Sequence, residues 1–221
     1  EQDRLDVLVL VLAAAQVSDW APVWKQPLDK GRAFIEAWLW PHLTTAWHGA
    51  RAMAAQGSGL IVEITDGETI GYRGPFFYDL VRTALVRLTY GLAEELAPKG
   101  VTALAITPGF MRTETVLGVL GATEENWREV AETNAMARRF RLSASETPSF
   151  VGRAVAALAA DPAVASKTGR LYSSWGLSEE YGFADVDGGQ PHWGRAFKKH
   201  VEENPYAGAA TPVTWQVASA T

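Results

Sequence analysis

Three short apolar runs, spaced by stretches of helical period, limit this chain to very few folds. Leu60-Ile-Val-Glu-Ile-Thr65 reads as a buried strand and Val101-Thr-Ala-Leu-Ala-Ile106 as another. Between them Phe77, Leu80, Val81, Ala84, Leu85, Leu88 and Leu92 recur at three and four, the pattern of a helix with one buried stripe. Pro98-Lys-Gly100 ends that helix, with glycine where a left-handed cap is wanted. Upstream, Leu5 to Leu12 is continuously apolar, which predicts a strand buried on both faces. Leu28 to Gln56 shows helical period, with Phe34, Trp38, Leu43, Trp47 and Ala50 near one side. Pro41 inside that run is expected to kink or divide the helix, because proline lacks the amide donor and clashes with the preceding turn.

Strands alternating with helices require crossover connections, hence a parallel sheet with helices on both faces. The expected class is therefore α/β, with a Rossmann-like, doubly wound parallel sheet. Downstream, Thr123 before Glu124 and Glu125 predicts a helix start. Thr147-Pro148 predicts another, running to about Ala160. Gly169 to Ser173 reads as a short fourth strand. From Glu203 the sequence is rich in Ala, Pro and Thr without period. The expected organisation is one incomplete domain over residues 1–200 and a tail over 201–221.

Composition narrows function by exclusion. A net charge of -5 argues against nucleic acid and anionic membrane as partners. With no cysteine there is no disulfide, thiolate metal site or thiol nucleophile, as suits a reducing cytoplasm. Val7 to Ala15 is apolar but far short of the roughly 20 residues that span a bilayer. Acidic Glu1, Asp3 and Asp6 stand where a signal peptide is positive. The start at Glu1 reads as processing or as part of a longer chain. Trp20, Trp24, Trp38, Trp40 and Trp47 crowd one segment, and core or interface packing is the expected use. His42, His48, His192 and His200 show no ligand spacing, so no metal site is expected. Gly71 and Gly74 read as turn formers, and Arg138, Arg139 and Arg141 as a solvated basic face.

Tyr78 and Arg82 lie four apart on one helix and share a face. By spacing alone such a pair is ordinary. A nearby cation, together with the helix amino terminus, is expected to favour the phenolate and lower the tyrosine pKa from about 10. Asp66 follows one strand and Pro108-Gly109 the next, both at the carboxyl edge where open α/β sheets bind ligands. A carboxylate at Asp66 would oppose the cation and raise the pKa.

In order and spacing these segments resemble the catalytic half of a short-chain dehydrogenase/reductase. That family shows a strand ending in serine, then Tyr-x-x-x-Lys, then a strand ending in Pro-Gly with threonine four residues later. Here the matching segments are Ile61 to Asp66, Tyr78 to Arg82, and Pro108-Gly-Phe-Met-Arg-Thr113. Gly152 to Asp161 and Tyr181 to Gly188 resemble a bacterial branch of the superfamily. The resemblance covers Leu5 to Gly188. It implies an NAD- or NADP-dependent oxidoreductase acting on a small carbonyl or alcohol substrate, and a homodimer or larger homo-oligomer. Tyr78 would be the acid/base, Arg82 its electrostatic partner, and Asp66 the substrate-orienting group. Tyr78, Arg82, Pro108, Gly109 and Thr113 would meet the cofactor, and residues 110–140 would form a substrate lid.

Five departures accompany it. Arg82 replaces lysine, and Asp66 or Thr65 replaces the substrate-orienting serine. Leu10-Val-Leu-Ala13 stands where Asn-Asn-Ala-Gly is expected, and no Thr-Gly-x-x-x-Gly-x-Gly loop precedes Leu5. The family's helix asparagine aligns with His42. The missing loop, the apolar Leu10-Val-Leu-Ala13 and the loss of lysine support an alternative, a non-catalytic fragment or pseudoenzyme subunit acting through protein contact.

Overall fold

A computed structural model describes residues 4–11, 19–66 and 75–203. Leu12 and Ala13, the glycine-rich loop with Gly71 and Gly74, and the expected tail beyond residue 203 lie outside the described residues. The described chain forms two compact units, one of residues 4–107 with Asp161–Tyr172, the other of Pro108–Ala160 with residues 173–203.

The first unit holds β1 (Val7–Leu10), α1 (Leu28–Gln56), β2 (Gly59–Ile64), α2 (Phe76–Leu96) and β3 (Val101–Thr107), and most of β4 (Leu171–Ser173). The sheet order is β1-β2-β3-β4, and β1 to β2 and β2 to β3 pair in parallel. This is the expected α/β architecture: helices carry the chain back so that successive strands lie side by side. Gly57 and Gly100 end the two helical segments at φ 76° and 71°, a backbone region costly for other residues.

β2 and β3 are buried almost throughout, as continuous apolar runs require. β1 differs from the expectation. Val9 and Val11 are exposed and only Leu10 is fully buried, because among the described residues β1 pairs on one side only. Pro41 does not divide α1. It lies on the exposed face, where a carbonyl deprived of its amide partner can meet water. The buried stripe of α1 also differs from the sequence reading. It runs through Phe34, His42, Ala46, Gly49 and Met53, whereas Trp40, Leu43 and Trp47 face outward. Small Ala46 and Gly49 let the helix settle on the sheet; a Cβ on Gly49 would overlap the Leu8 side chain.

The second unit holds α3 (Glu114–Leu120), α4 (Trp127–Thr133), α5 (Ala135–Arg139), α6 (Pro148–Ala160), α7 (Ser174–Tyr181) and α8 (Trp193–Glu203). Leu117, Leu120, Trp127, Ala131, Ala137 and Leu142 form one core cluster. α6 begins and ends where Thr147-Pro148 predicts. The helix expected from Thr123 starts later, at Trp127. Asn126 first accepts the Thr123 amide proton at 2.7 Å and closes a turn ahead of it.

Candidate active site

β2 delivers Thr65 and Asp66 to the carboxyl end of the sheet. The Thr65 amide donates to the Ile106 carbonyl at 2.9 Å, which ties this strand end to β3. The Thr65 hydroxyl donates to the Arg82 carbonyl at 2.9 Å, which ties it to α2. Tyr78 sits in the first turn of α2, and its phenol donates to Asp66 Oδ2 at 3.0 Å. Arg82 stands one turn on, its guanidinium carbon 5.1 Å from the Tyr78 ring centre and 5.0 Å from that of Trp38. Trp38 meets Tyr78 edge-on at 6.2 Å and stacks on Phe34 at 5.3 Å. Asp66, Tyr78 and Arg82 are thus brought together with an aromatic wall from α1.

The electrostatics correct one expectation. The Tyr78 pKa is not lowered but pushed up to about 12. Burial penalises the phenolate most, the Asp66 carboxylate adds to it, and Arg82 only partly offsets them. Tyr78 is therefore a neutral phenol throughout the physiological range, able to give a proton. Its absorbance is expected to ionise only as pH approaches 12. Asp66→Ser, by removing the adjacent carboxylate, is expected to bring that transition down. Difference titration at 295 nm against Tyr78→Phe isolates this tyrosine, and an unmoved midpoint in Asp66→Ser would contradict the assignment.

His42, the position aligned with the family's helix asparagine, makes its close contact elsewhere. It is fully buried, with Nδ1 2.7 Å from Oε1 of buried Glu63 on β2. Burial raises the Glu63 pKa, against the opposing pull of His42 and Arg82. The sequence reading missed both Glu63 and Trp38. A single acid inside Leu60-Ile-Val-Glu-Ile was the signal for the first. Trp38 precedes His42 by one helical turn and so shares its face.

In the second unit, Pro108-Gly109 forms a turn held by a group the sequence reading did not single out. Glu146, fully buried, accepts the Gly109 amide proton at 2.8 Å and the Ser174 hydroxyl proton at 2.7 Å, both on Oε2. Thr113 caps α3, accepting the Val116 amide proton at 3.3 Å. Buried Arg112 donates to the Ser145 carbonyl at 2.8 Å and to Asp187 at 3.0 Å, and its guanidinium lies 4.3 Å from the Trp127 ring centre.

Burial pushes the Glu146 carboxyl up to about 7, with Asp185 adding and Ser174, Gly109 and Arg112 opposing. A carboxyl raised in the folded state takes up its proton more readily there than when unfolded. Its contribution to stability is fully present below about 4.5 and is lost as pH rises through about 7. At about 1.4 kcal/mol per unit, this amounts to roughly 3 kcal/mol. Urea unfolding at pH 5 and pH 8 is expected to show that loss, and Glu146→Gln to flatten it. Equal slopes in the two proteins would contradict the cause given.

Among the described residues, no helix is long and apolar enough to cross a membrane, and no three His, Asp or Glu side chains gather as a metal site would need. The family profile described as Enoyl-(Acyl carrier protein) reductase matches residues 1–178. The chain is 30% identical over 194 residues to Dehydrogenase/reductase SDR family member 1 of Homo sapiens, a match that takes in 85% of this chain and 60% of that protein. It is 29% identical over 164 residues to Cis-4-hydroxycyclohexanecarboxylate dehydrogenase of Sinomonas cyclohexanicum, covering 74% of this chain and 61% of that one. Among solved structures, a putative NAD(P) dependent gluconate 5-dehydrogenase from Beutenbergia cavernae with bound NADP is similar. That similarity has a TM-score of 0.56 at 27% identity, over 76% of this chain and 64% of that one. The chain thus spans about three fifths of the length of the curated relatives it matches.

Proposed function

Because the chain belongs to the short-chain dehydrogenase/reductase superfamily, we infer that it contributes the catalytic residues of an NAD(P)-dependent oxidoreductase acting on a small carbonyl or the corresponding alcohol. One observation carries this reading. A neutral phenol, Tyr78, stands at the carboxyl edge of the parallel sheet between an acceptor, Asp66, and a cation, Arg82.

The residues suit the ribose and nicotinamide end of a dinucleotide. Arg82 Nε is buried without a hydrogen-bond partner beside the Tyr78 ring, so a ribose hydroxyl would find a donor there. When bound, the nicotinamide supplies or accepts the hydride. Tyr78 donates its proton to the carbonyl oxygen during reduction and takes it back in the reverse direction. Arg82 stabilises the phenolate left behind. Asp66, an acceptor only, orients a substrate hydroxyl and holds the phenol proton until substrate arrives. Trp38 and Phe34 wall the site against water. In the second unit, Pro108, Gly109 and Thr113 take the cofactor-side positions the family resemblance assigns, with residues 110–140 as the lid. A bacterial cytoplasmic enzyme is the setting proposed.

Trp40, Leu43 and Trp47 on α1, with Phe76 and Leu80 on α2, are exposed and apolar, which supports homo-oligomerisation through these two helices. A non-catalytic subunit remains the second reading, favoured by the Asp66 carboxylate that holds Tyr78 against ionisation. Carbonyl-dependent oxidation of NADH or NADPH, measured over a panel of small aldehydes and ketones, separates the two. The first reading expects turnover on part of the panel; no turnover on any member favours the second.

A further inference from the structure

Glu146 is expensive to keep where it is. The side chain is fully buried, Oε2 accepts two hydrogen bonds, and Oε1 is buried with no hydrogen-bond partner. A hydrophobic side chain would serve the stability of this unit better. What the carboxyl does hold is the turn after β3. The Glu146 amide donates to the Phe110 carbonyl at 3.0 Å, and the Arg112 amide donates to the Glu146 carbonyl at 2.9 Å. Together they make an isolated parallel bridge between Met111 and Glu146. The side chain then reaches to the Gly109 amide. Backbone and side chain of one residue thus bond residues 109, 110 and 112, with Met111 opposite in the bridge.

Gly109 is matched to this grip. A Cβ there would lie 2.7 Å from Glu146 Oε2 and 2.8 Å from the Trp193 Cβ, closer than real side chains approach. Glycine at this position answers to close packing rather than to an unusual backbone angle. Ser174, the first residue of α7, donates to the same carboxylate oxygen. The charged groups around Glu146 are Arg112 across the bridge and Asp185 beyond α7. Asp187 and Glu124 face Arg112, and Arg128 faces Asp187. His192 lies against Trp175 of α7.

We propose that Glu146 is a positioning residue for the cofactor: it fastens the Pro108–Gly109 turn, and the protonation state of this one side chain sets how firmly the turn is held. The proposal rests on the dinucleotide reading for its consequence, and on geometry alone for the fastening. An ionised carboxylate accepts the Gly109 and Ser174 protons in charge-assisted bonds, roughly twice as strong as neutral ones. Protonation weakens both at once. With a midpoint near 7, the turn is held tightly in mildly alkaline solution and loosely in mildly acid solution.

Two readouts test it on the full chain. In the first, the Gly109 amide proton is followed by NMR from pH 5 to pH 9. It is expected to move upfield as pH falls through about 7 in the wild type, and to stay fixed in Glu146→Gln. Ser174→Ala keeps the carboxyl but removes one bond that favours ionisation, so the midpoint is expected to rise. This variant carries the test should Glu146→Gln fold poorly. In the second, NADH and NADPH are titrated at pH 6 and pH 8. The wild type is expected to bind about three- to tenfold more weakly at pH 6, the loss of about one hydrogen bond's worth. Glu146→Gln is expected to bind weakly at both. A Gly109 amide that does not titrate in the wild type overturns the fastening. Equal cofactor affinity in both proteins at both pH values overturns the positioning role. Absence of cofactor binding by either protein overturns the dinucleotide reading, while the amide titration still decides the fastening.

Discussion

Tyr78→Phe is expected to lower carbonyl-dependent turnover by about a hundred- to ten-thousandfold, the usual worth of a positioned acid. The substitution removes one oxygen and leaves the ring against Trp38 and Arg82 in place. The phenol donates to the half-buried Asp66, whose carboxylate can turn to water when that bond is lost. Folding stability should therefore change by no more than about 1 kcal/mol. Circular dichroism and urea unfolding check the second half of the expectation and steady-state rates the first. Tyr78→Phe retaining a tenth or more of wild-type turnover would remove Tyr78 from the chemistry.

The second large effect lies beneath that site. His42→Leu is expected to destabilise the chain by about 3–5 kcal/mol, since it leaves the Glu63 carboxyl buried and unpaired in the middle of β2. Against a typical total of about 5–15 kcal/mol, this is a large share. The double substitution His42→Leu with Glu63→Val removes both members of the pair and is expected to restore most of the loss. Urea midpoints for the two singles and the double give the coupling directly. Additive effects, with the double worse than either single, would mean that the pair is not the unit the geometry indicates. The cause also predicts a pH signature. Glu63 takes its proton more readily folded than unfolded, so its stabilising contribution falls as pH rises through its raised folded pKa.

Much of the fold was legible because its signals are local. Runs such as Ile61-Val62 and Leu104-Ala105-Ile106 can only be buried, and Gly57 and Gly100 mark helix ends through their own backbone angles. What the sequence concealed depends on which neighbour wins. The apolar residues of α1 gave two overlapping stripes, and the buried one contains Ala46 and Gly49 rather than Leu43 and Trp47, since the sheet admits only small side chains there. Pro41 reads as a breaker in isolation, yet on an exposed face its lost hydrogen bond is replaced by solvent. For the site, the nearness of Asp66, Tyr78 and Arg82 was legible in the order of the motifs that carry them. The sign of the tyrosine shift required burial and distance, and sequence supplies neither: the cation one turn away is plain, whereas the desolvation that outweighs it is not. Glu146 was hidden for a different reason. It lies 37 residues from the Gly109 amide it holds, beyond the reach of any local pattern.

On the proposed function, these residues serve a nicotinamide cofactor. Titration of the purified chain with NADH and with NADPH, followed by energy transfer from tryptophan to the reduced nicotinamide and by calorimetry, tests it most directly. Saturable binding of one of the two at sub-millimolar concentration is expected, weakened when Arg82 is replaced by Ala. No binding of either cofactor at millimolar concentration would contradict it.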